Sequence, residues 1–184
     1  MTLTRVIQRR RTGFIAALAA ALFVLGLLDV ERRDDAWLLR VAGQPMDARG
    51  ALSVAWQNAW RDCTRLSRLD PDDPGALRSV RALREFSPPD SLSAKVLRAD
   101  AWPGGWFVLQ AEFSALEPVV VLVRHSDGRV GVVAEGVWSS TTRPWNSAWR
   151  IRRFLASRVP QAPGALVNCI DPLPLFAQPP RSPG

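Results

Sequence analysis

The sequence predicts an α+β protein in which a single N-terminal transmembrane helix is followed by one domain of two helices, a four-stranded antiparallel meander and a C-terminal helix. Three observations carry that prediction. An unbroken apolar run, Gly13 to Leu28, holds no charged or strongly polar side chain. Apolar residues then recur at helical spacing over residues 51–69 and 74–86. From residue 94 to residue 138 the period changes to two, with an Asp-Gly pair set between valine-rich runs.

The 16 residues of the apolar run give roughly 24 Å of helix, enough to cross a bilayer core of about 30 Å if the flanks snorkel or the bilayer thins. Arg5, Arg9, Arg10 and Arg11 precede it with no acid among them, so the positive-inside bias puts residues 1–12 in the cytoplasm and the rest of the chain across the membrane. The stretch Leu25-Gly26-Leu27-Leu28-Asp29-Val30 lacks the small residues of a cleavage site, so the run is expected to stay as an anchor. The expected organisation is a cytoplasmic basic segment over 1–12, an anchor over 13–28, a linker over 29–50, a periplasmic α+β domain over 51–170 and a Pro-rich tail over 171–184. Residues 29–49 read as a charged continuation of the membrane helix that Gly43, Pro45 and Gly50 then break, with Trp37 packed on the folded domain.

Within the domain, Leu52, Trp56, Ala59, Cys63 and Leu66 fall at four-three-four-three spacing and form the face of a first helix, which Trp60 widens and a sheet should cover. Asp70-Pro71-Asp72-Asp73-Pro74 stops that helix, and Asp73 with Pro74 forms an N-cap and first-turn pair for a second, with Leu77, Val80, Leu83 and Phe86 inward. Strands follow at residues 94–101, 107–113, 118–125 and 130–138. Val119 to Val123 is apolar on both faces, which requires a covered, interior strand. Ser139 to Pro144 opens a third helix reaching about Val159, with Ala148, Ile151, Leu155 and Val159 inward and Arg150, Arg153 and Arg158 outward. Ala165 to Ile170 reads as an edge strand, and the tail, with five prolines in its last 13 residues, as disordered or an extended strap.

Charge says little about partners. Arginine outnumbers lysine 23 to 1, a bias that a GC-rich genome explains, and four of the positive groups lie before the apolar run. Residues 29–135 carry 14 positive and 16 negative groups, whereas residues 136–170 carry five arginines and no acid. A high isoelectric point spread this way gives no basic face of a nucleic-acid-binding fold, so no nucleic acid is expected. Cys63 and Cys169 are the only cysteines, and an even pair beyond the membrane is most simply a disulfide, with two buried free thiols as the alternative. That crosslink closes a loop of about 105 residues, worth about 4 to 5 kcal/mol on the chain-entropy model.

No constellation for catalysis stands out. His125 is the sole histidine, and no Gly-x-Ser-x-Gly elbow accompanies it. One histidine and two paired cysteines cannot assemble a zinc set, so neither metal nor cofactor is expected. Glu112 and Glu117 flank a strand as solvent-facing acids do, Asp72 and Asp73 serve as caps, and Gly104-Gly105 is a turn without the lysine of a phosphate cradle. Two features point to partners instead: Trp102 and Trp106 bracket what reads as an exposed turn, and Arg150, Arg153 and Arg158 line the outer side of the third helix.

A short basic start, one span and a helix-plus-meander domain beyond it resemble, in layout and not in motif, the bitopic assembly subunits of bacterial secretion and conjugation machines. The resemblance implies a non-enzymatic inner-membrane protein whose periplasmic domain binds or scaffolds other envelope proteins. Two other readings stand beside it: an immunity or inhibitor protein against a periplasmic toxin, and a cell-envelope enzyme working through carboxylates such as Glu112 or Glu117.

Overall fold

The computed structural model describes residues 28–33, 36–126 and 128–177, with isolated positions 17, 20, 21 and 26. The basic start, most of the expected anchor and the end of the Pro-rich tail lie outside these residues. Among the described residues no helix is long and apolar enough to cross a membrane. The chain divides into two units, Met1–Arg49 and Gly50–Gly184.

The first unit corrects the expected linker. In place of a helical continuation and linker, the described residues from Leu28 to Met46 form a three-stranded antiparallel sheet of β1 (Leu28–Arg33), β2 (Ala36–Val41) and β3 (Gln44–Met46). Val30 stands opposite Leu39, which stands opposite Met46. The turn Ala42-Gly43 joins β2 to β3 with φ of 48° and 80°, the left-handed pair that a two-residue hairpin demands and that glycine supplies without strain. The charges at Asp29 and from Glu31 to Asp35 hide this period-two pattern, and one of them, Glu31, pairs with Arg40 across the strands at 2.6 Å. Trp37 is exposed rather than packed on the domain, with the Arg32 guanidinium over its ring.

The second unit is built on a five-stranded antiparallel sheet ordered β4 (Ser67–Arg68), β5 (Lys95–Trp102), β6 (Trp106–Glu112), β7 (Val119–Ser126) and β8 (Arg129–Ser139). The predicted meander is β5 to β8, and β4 is a short extra edge. Ser126 pairs with Arg129 around the Asp-Gly turn, with Gly128 at φ 73°. Between Val121↔Val137 and Val123↔Val132, residues 133–136 of β8 face the single residue Leu122, so β8 bulges there. A side chain at Gly136 would start 2.9 Å from the Leu122 Cβ, so the bulge needs glycine.

Strand alternation sends Val119, Val121 and Val123 to one face and Val120 and Leu122 to the other, and both faces are covered. On the first lies α2 (Pro74–Phe86), capped by the Asp73 carboxylate, which accepts from the Gly75 and Ala76 amides. Its buried side is Gly75, Ala76, Ser79 and Leu83, while Leu77 and Phe86 are exposed, contrary to the expected face. Close approach explains the change: a Cβ on Gly75 would sit 3.0 Å from the Phe107 ring, so small residues set which side of the helix meets the sheet. On the second face lie α3 (Ser147–Arg158) and α4 (Gly164–Asn168), with Ile151, Leu155, Val159, Leu166 and Val167 against Trp102, Trp106, Val108, Val120 and Leu122.

Two further expectations change, and over residues 171–177 the strap reading of the tail is met. The segment expected as an edge strand over 165–170 is the short helix α4 and its C-cap, Cys169. Part of the tail is a packed strap, with Phe176 fully buried and its carbonyl accepting from the Thr142 amide at 2.7 Å. The helix α1 (Ala48–Trp60) ends before Cys63, so the expected stripe splits. Cys63 and Leu66 turn onto the core, whereas Leu52, Trp56 and Trp60 remain 72 %, 69 % and 74 % exposed.

Candidate functional site

The outer side of α3 carries a ladder of arginines laid on aromatic rings. The sequence 145–158 places Trp145, Trp149 and Phe154 where a cation three to five residues further on can reach back along the helix. The Arg150 guanidinium lies 4.0 Å from the centre of the Trp145 ring, Arg153 is 5.6 Å from Trp149, and Arg158 is 5.9 Å from Phe154. Trp138 of β8 meets Phe154 edge-on at 5.1 Å and backs the row from below. The rings are half-buried, Arg153 and Arg158 are exposed, and Arg150 is half-buried. Contact with the rings orients the guanidinium heads, and the exposed Arg153 and Arg158 present N–H donors at the surface. Arg158 also lies 3.6 Å from Glu135, an exposed pair worth little. Ordered guanidinium edges over aromatic rings suit carboxylates presented by an acidic surface.

The inner side of the same helix holds the fixture that keeps the ladder in place. Arg152 is 1 % exposed, and every direction of its fork is used. Its Nε donates to the Ile170 carbonyl at 2.8 Å, one terminal nitrogen donates to Gln57 Oε1 at 3.1 Å and Asn58 Oδ1 at 3.3 Å, and the other donates to Asp171 Oδ1 at 2.8 Å. Arg61 grips both oxygens of Asp171, at 2.8 and 3.0 Å. The Asp171 carbonyl accepts from Gln110 at 2.9 Å, and Gln110 in turn accepts from the Leu173 amide at 2.8 Å. Burial works to raise the Asp171 pKa, but the Arg61 hydrogen bonds and the charges of Arg61, Arg152 and Arg98 outweigh it and hold the carboxyl below its ordinary value. Burial and then the Arg61 charge lower the Arg152 pKa, against the pull of Asp171. Arg152 escapes a reading by charge alone, although its spacing gives the signal: it falls four residues after Ala148 and three before Leu155, inside the apolar stripe.

The other residues singled out in the sequence fall as follows. Cys63 and Cys169 are joined by a disulfide, with Cα atoms 5.7 Å apart. Trp102 and Trp106 do not flank an exposed surface: they pair across the β5–β6 hairpin and lie in the core at 5 % and 6 % exposure. The Gly105 carbonyl accepts from the His125 amide at 2.7 Å, which extends the β6–β7 ladder one residue past Trp106, and both tryptophans lie on the sheet face that α3 and α4 cover. Glu112 pairs with Lys95 at 2.9 Å and Glu117 is exposed.

His125 has a partner that no motif announces. Its Nε2 lies 3.0 Å from Ser79 Oγ, and its ring stacks on Phe107 at 4.0 Å between centroids. The Ser79 hydroxyl also lies 2.8 Å from the Gly75 carbonyl, to which it donates when the Nε2–H tautomer of His125 donates to Ser79. Ser79 is also fully buried on the inner side of α2. Burial first, and the Arg78 charge second, lower the His125 pKa.

Among the described residues no group of three or more His, Cys, Asp or Glu side chains is arranged to hold a metal ion. Comparisons with protein-family models, with curated proteins and with solved structures find no significant match to this chain.

Proposed function

We propose that the chain is a non-enzymatic, single-pass protein of a bacterial inner membrane that holds an acidic protein partner on the α3 ladder, with residues beyond the apolar run on the periplasmic side. The single observation that carries this reading is the row of three arginine–aromatic contacts along α3 and the turn before it, Arg150 on Trp145, Arg153 on Trp149 and Arg158 on Phe154. Arginine and tryptophan are the side chains that dominate the energetics of protein contacts, and stacking removes much of the entropy an arginine otherwise loses on binding. The Cys63–Cys169 disulfide fits an oxidising compartment. The arginines ahead of Gly13 fit a cytoplasmic start.

The test is capture from crosslinked membranes with the full chain and with the charge-reversed variant Arg153→Glu/Arg158→Glu. The expected result is a captured protein, acidic on its contacting face, that is lost in the variant and in high salt. A capture pattern indifferent to both, or turnover of a cell-wall, lipid or peptide substrate by the purified chain, refutes the proposal.

A further inference from the structure

We infer that α1 lies flat in the headgroup region of the bilayer, with Leu52, Trp56 and Trp60 in the lipid, an inference that rests on the reading of Gly13–Leu28 as a membrane anchor. The helix is mounted the wrong way round for a globular protein. Its polar residues Gln57 and Asn58 are the ones tied inward, both accepting from the buried Arg152. The segment that follows is locked by the Arg61 pair with Asp171 and by the Cys63–Cys169 bond. Its apolar residues Leu52, Trp56 and Trp60, with Ala55 and Ala59, face outward, and the two indoles touch at 5.8 Å between centroids. A helix fixed by its polar side cannot roll to bury that stripe against its own sheet. The stripe therefore needs something apolar from outside.

Strand register supplies the occupant. Leu28, the last residue of the apolar run, is aligned through Val41 with Gln44, and Val30 through Leu39 with Met46. Met46 is thus two strands across, about 10 Å, and two residues along, about 7 Å, from the point where the run ends. The helix opens at Ala48, only two residues after Met46, so chain connectivity keeps the stripe within reach of the membrane surface. No charged residue occurs from Gly50 to Trp60, and exposed Arg49 flanks the stripe three residues before Leu52, where its head can meet phosphate. Tryptophan is the side chain most at home at a membrane–water boundary, with an apolar body and one N–H donor. A second copy of the chain would also cover an apolar stripe, but it would not explain the flanking cation beside a stretch that carries no charge from Gly50 to Trp60.

The experiment uses the full chain reconstituted in phosphatidylcholine–phosphatidylglycerol vesicles whose acyl chains carry bromine near the headgroups, which quenches only tryptophans in the lipid. Trp37, Trp56 and Trp60 are the exposed tryptophans among eight. In Trp56→Phe/Trp60→Phe the quenched fraction of the emission should fall by about half or more, and in Trp37→Phe by much less. An alkaline carbonate wash of the same vesicles reports the anchor separately, and an unchanged urea midpoint shows that each variant is folded. Protein that survives the wash with quenching unaltered in the double variant overturns the inference and leaves the anchor standing. The same overturning follows if Leu52→Cys copies crosslink to each other in place of quenching by lipid. Protein removed by the wash takes the anchor reading away, and this inference with it.

Discussion

Replacing Arg152 with leucine isolates the contribution of one buried cation to holding three segments together. The substitution leaves four acceptors behind: the Ile170 carbonyl, Gln57 Oε1, Asn58 Oδ1 and Asp171 Oδ1. They are not equally costly. Ile170 is buried, so its carbonyl loses its donor without gaining water, at about 1 to 3 kcal/mol. Asp171 is half-exposed and keeps both bonds from Arg61, and Asn58 is exposed, so each of these losses is about 0.5 kcal/mol. Gln57, half-buried, lies between the two cases. Removing the guanidinium also removes its own desolvation penalty, which holds the total below the 3 to 5 kcal/mol typical of a broken buried pair. The expected loss is about 2 to 4 kcal/mol. It is read as the free energy of urea unfolding by tryptophan fluorescence, with the disulfide intact. Arg152→Lys reaches only some of the four acceptors and should recover about half of the loss. Arg153→Leu, one residue on and facing out, should cost less than about 0.5 kcal/mol. A loss below about 1 kcal/mol for Arg152→Leu, or equal losses at the two positions, refutes the argument that the inner cation is the fixture.

Three other outcomes follow from the same structure. Cys63→Ser/Cys169→Ser opens a crosslink spanning 106 residues and should lower stability by up to about 4 to 5 kcal/mol, measured by denaturation against the oxidised chain; a loss under about 1 kcal/mol refutes the loop-entropy account. Because burial and Arg78 hold the His125 pKa below its ordinary 6.5, the folded chain takes up that proton less readily than the unfolded chain. Stability from this site is therefore complete above about pH 6.5 and declines as pH falls through that value towards the lower folded pKa; His125→Asn should flatten this part of the curve, and an identical pH dependence in the variant refutes it. Gly105→Ala should destabilise by about 2 kcal/mol or more, because its Cβ would meet the His125 carbonyl at 2.3 Å as well as straining φ at 79°. Gly104→Ala, at φ 85° with its nearest neighbour 3.9 Å away, should cost only about 1 kcal/mol, and equal costs would refute the role given to the contact.

Much of this fold is legible in the sequence where one physical signal dominates. The Asp73-Pro74 cap, the Asp-Gly hairpin, the two-faced apolar strand at Val119–Val123 and the pairing of Cys63 with Cys169 all rest on local chemistry that tertiary packing does not override. The errors arise where two signals compete. At residues 29–49 charges mask a period of two, and at α2 close packing of Gly75, Ala76 and Ser79 on the sheet overrides the larger Leu77 and Phe86. Trp102 and Trp106 sit beside a turn, which reads as exposure, yet both lie on the sheet face that α3 and α4 cover. For the site, the outward arginines of α3 are readable from helical spacing alone. Their aromatic partners require knowing which ring each guanidinium reaches, and the buried Arg152 requires trusting position over charge.

The Cys63–Cys169 bond also governs how the molecule carries load. It joins the end of the α1 segment directly to the strap that begins at Asp171, so a pull between the N-terminal side and the C-terminal tail runs through two sulfur atoms. All five strands of the larger sheet, and the helices α2, α3 and α4, belong to the closed ring of chain between the cysteines and feel none of that tension. In an oxidising compartment the chain can be hauled by its two ends without unzipping a strand of the larger sheet, whereas β1 to β3, ahead of Cys63, bear the load; reduction turns the same pull into one that peels the larger sheet from its edge.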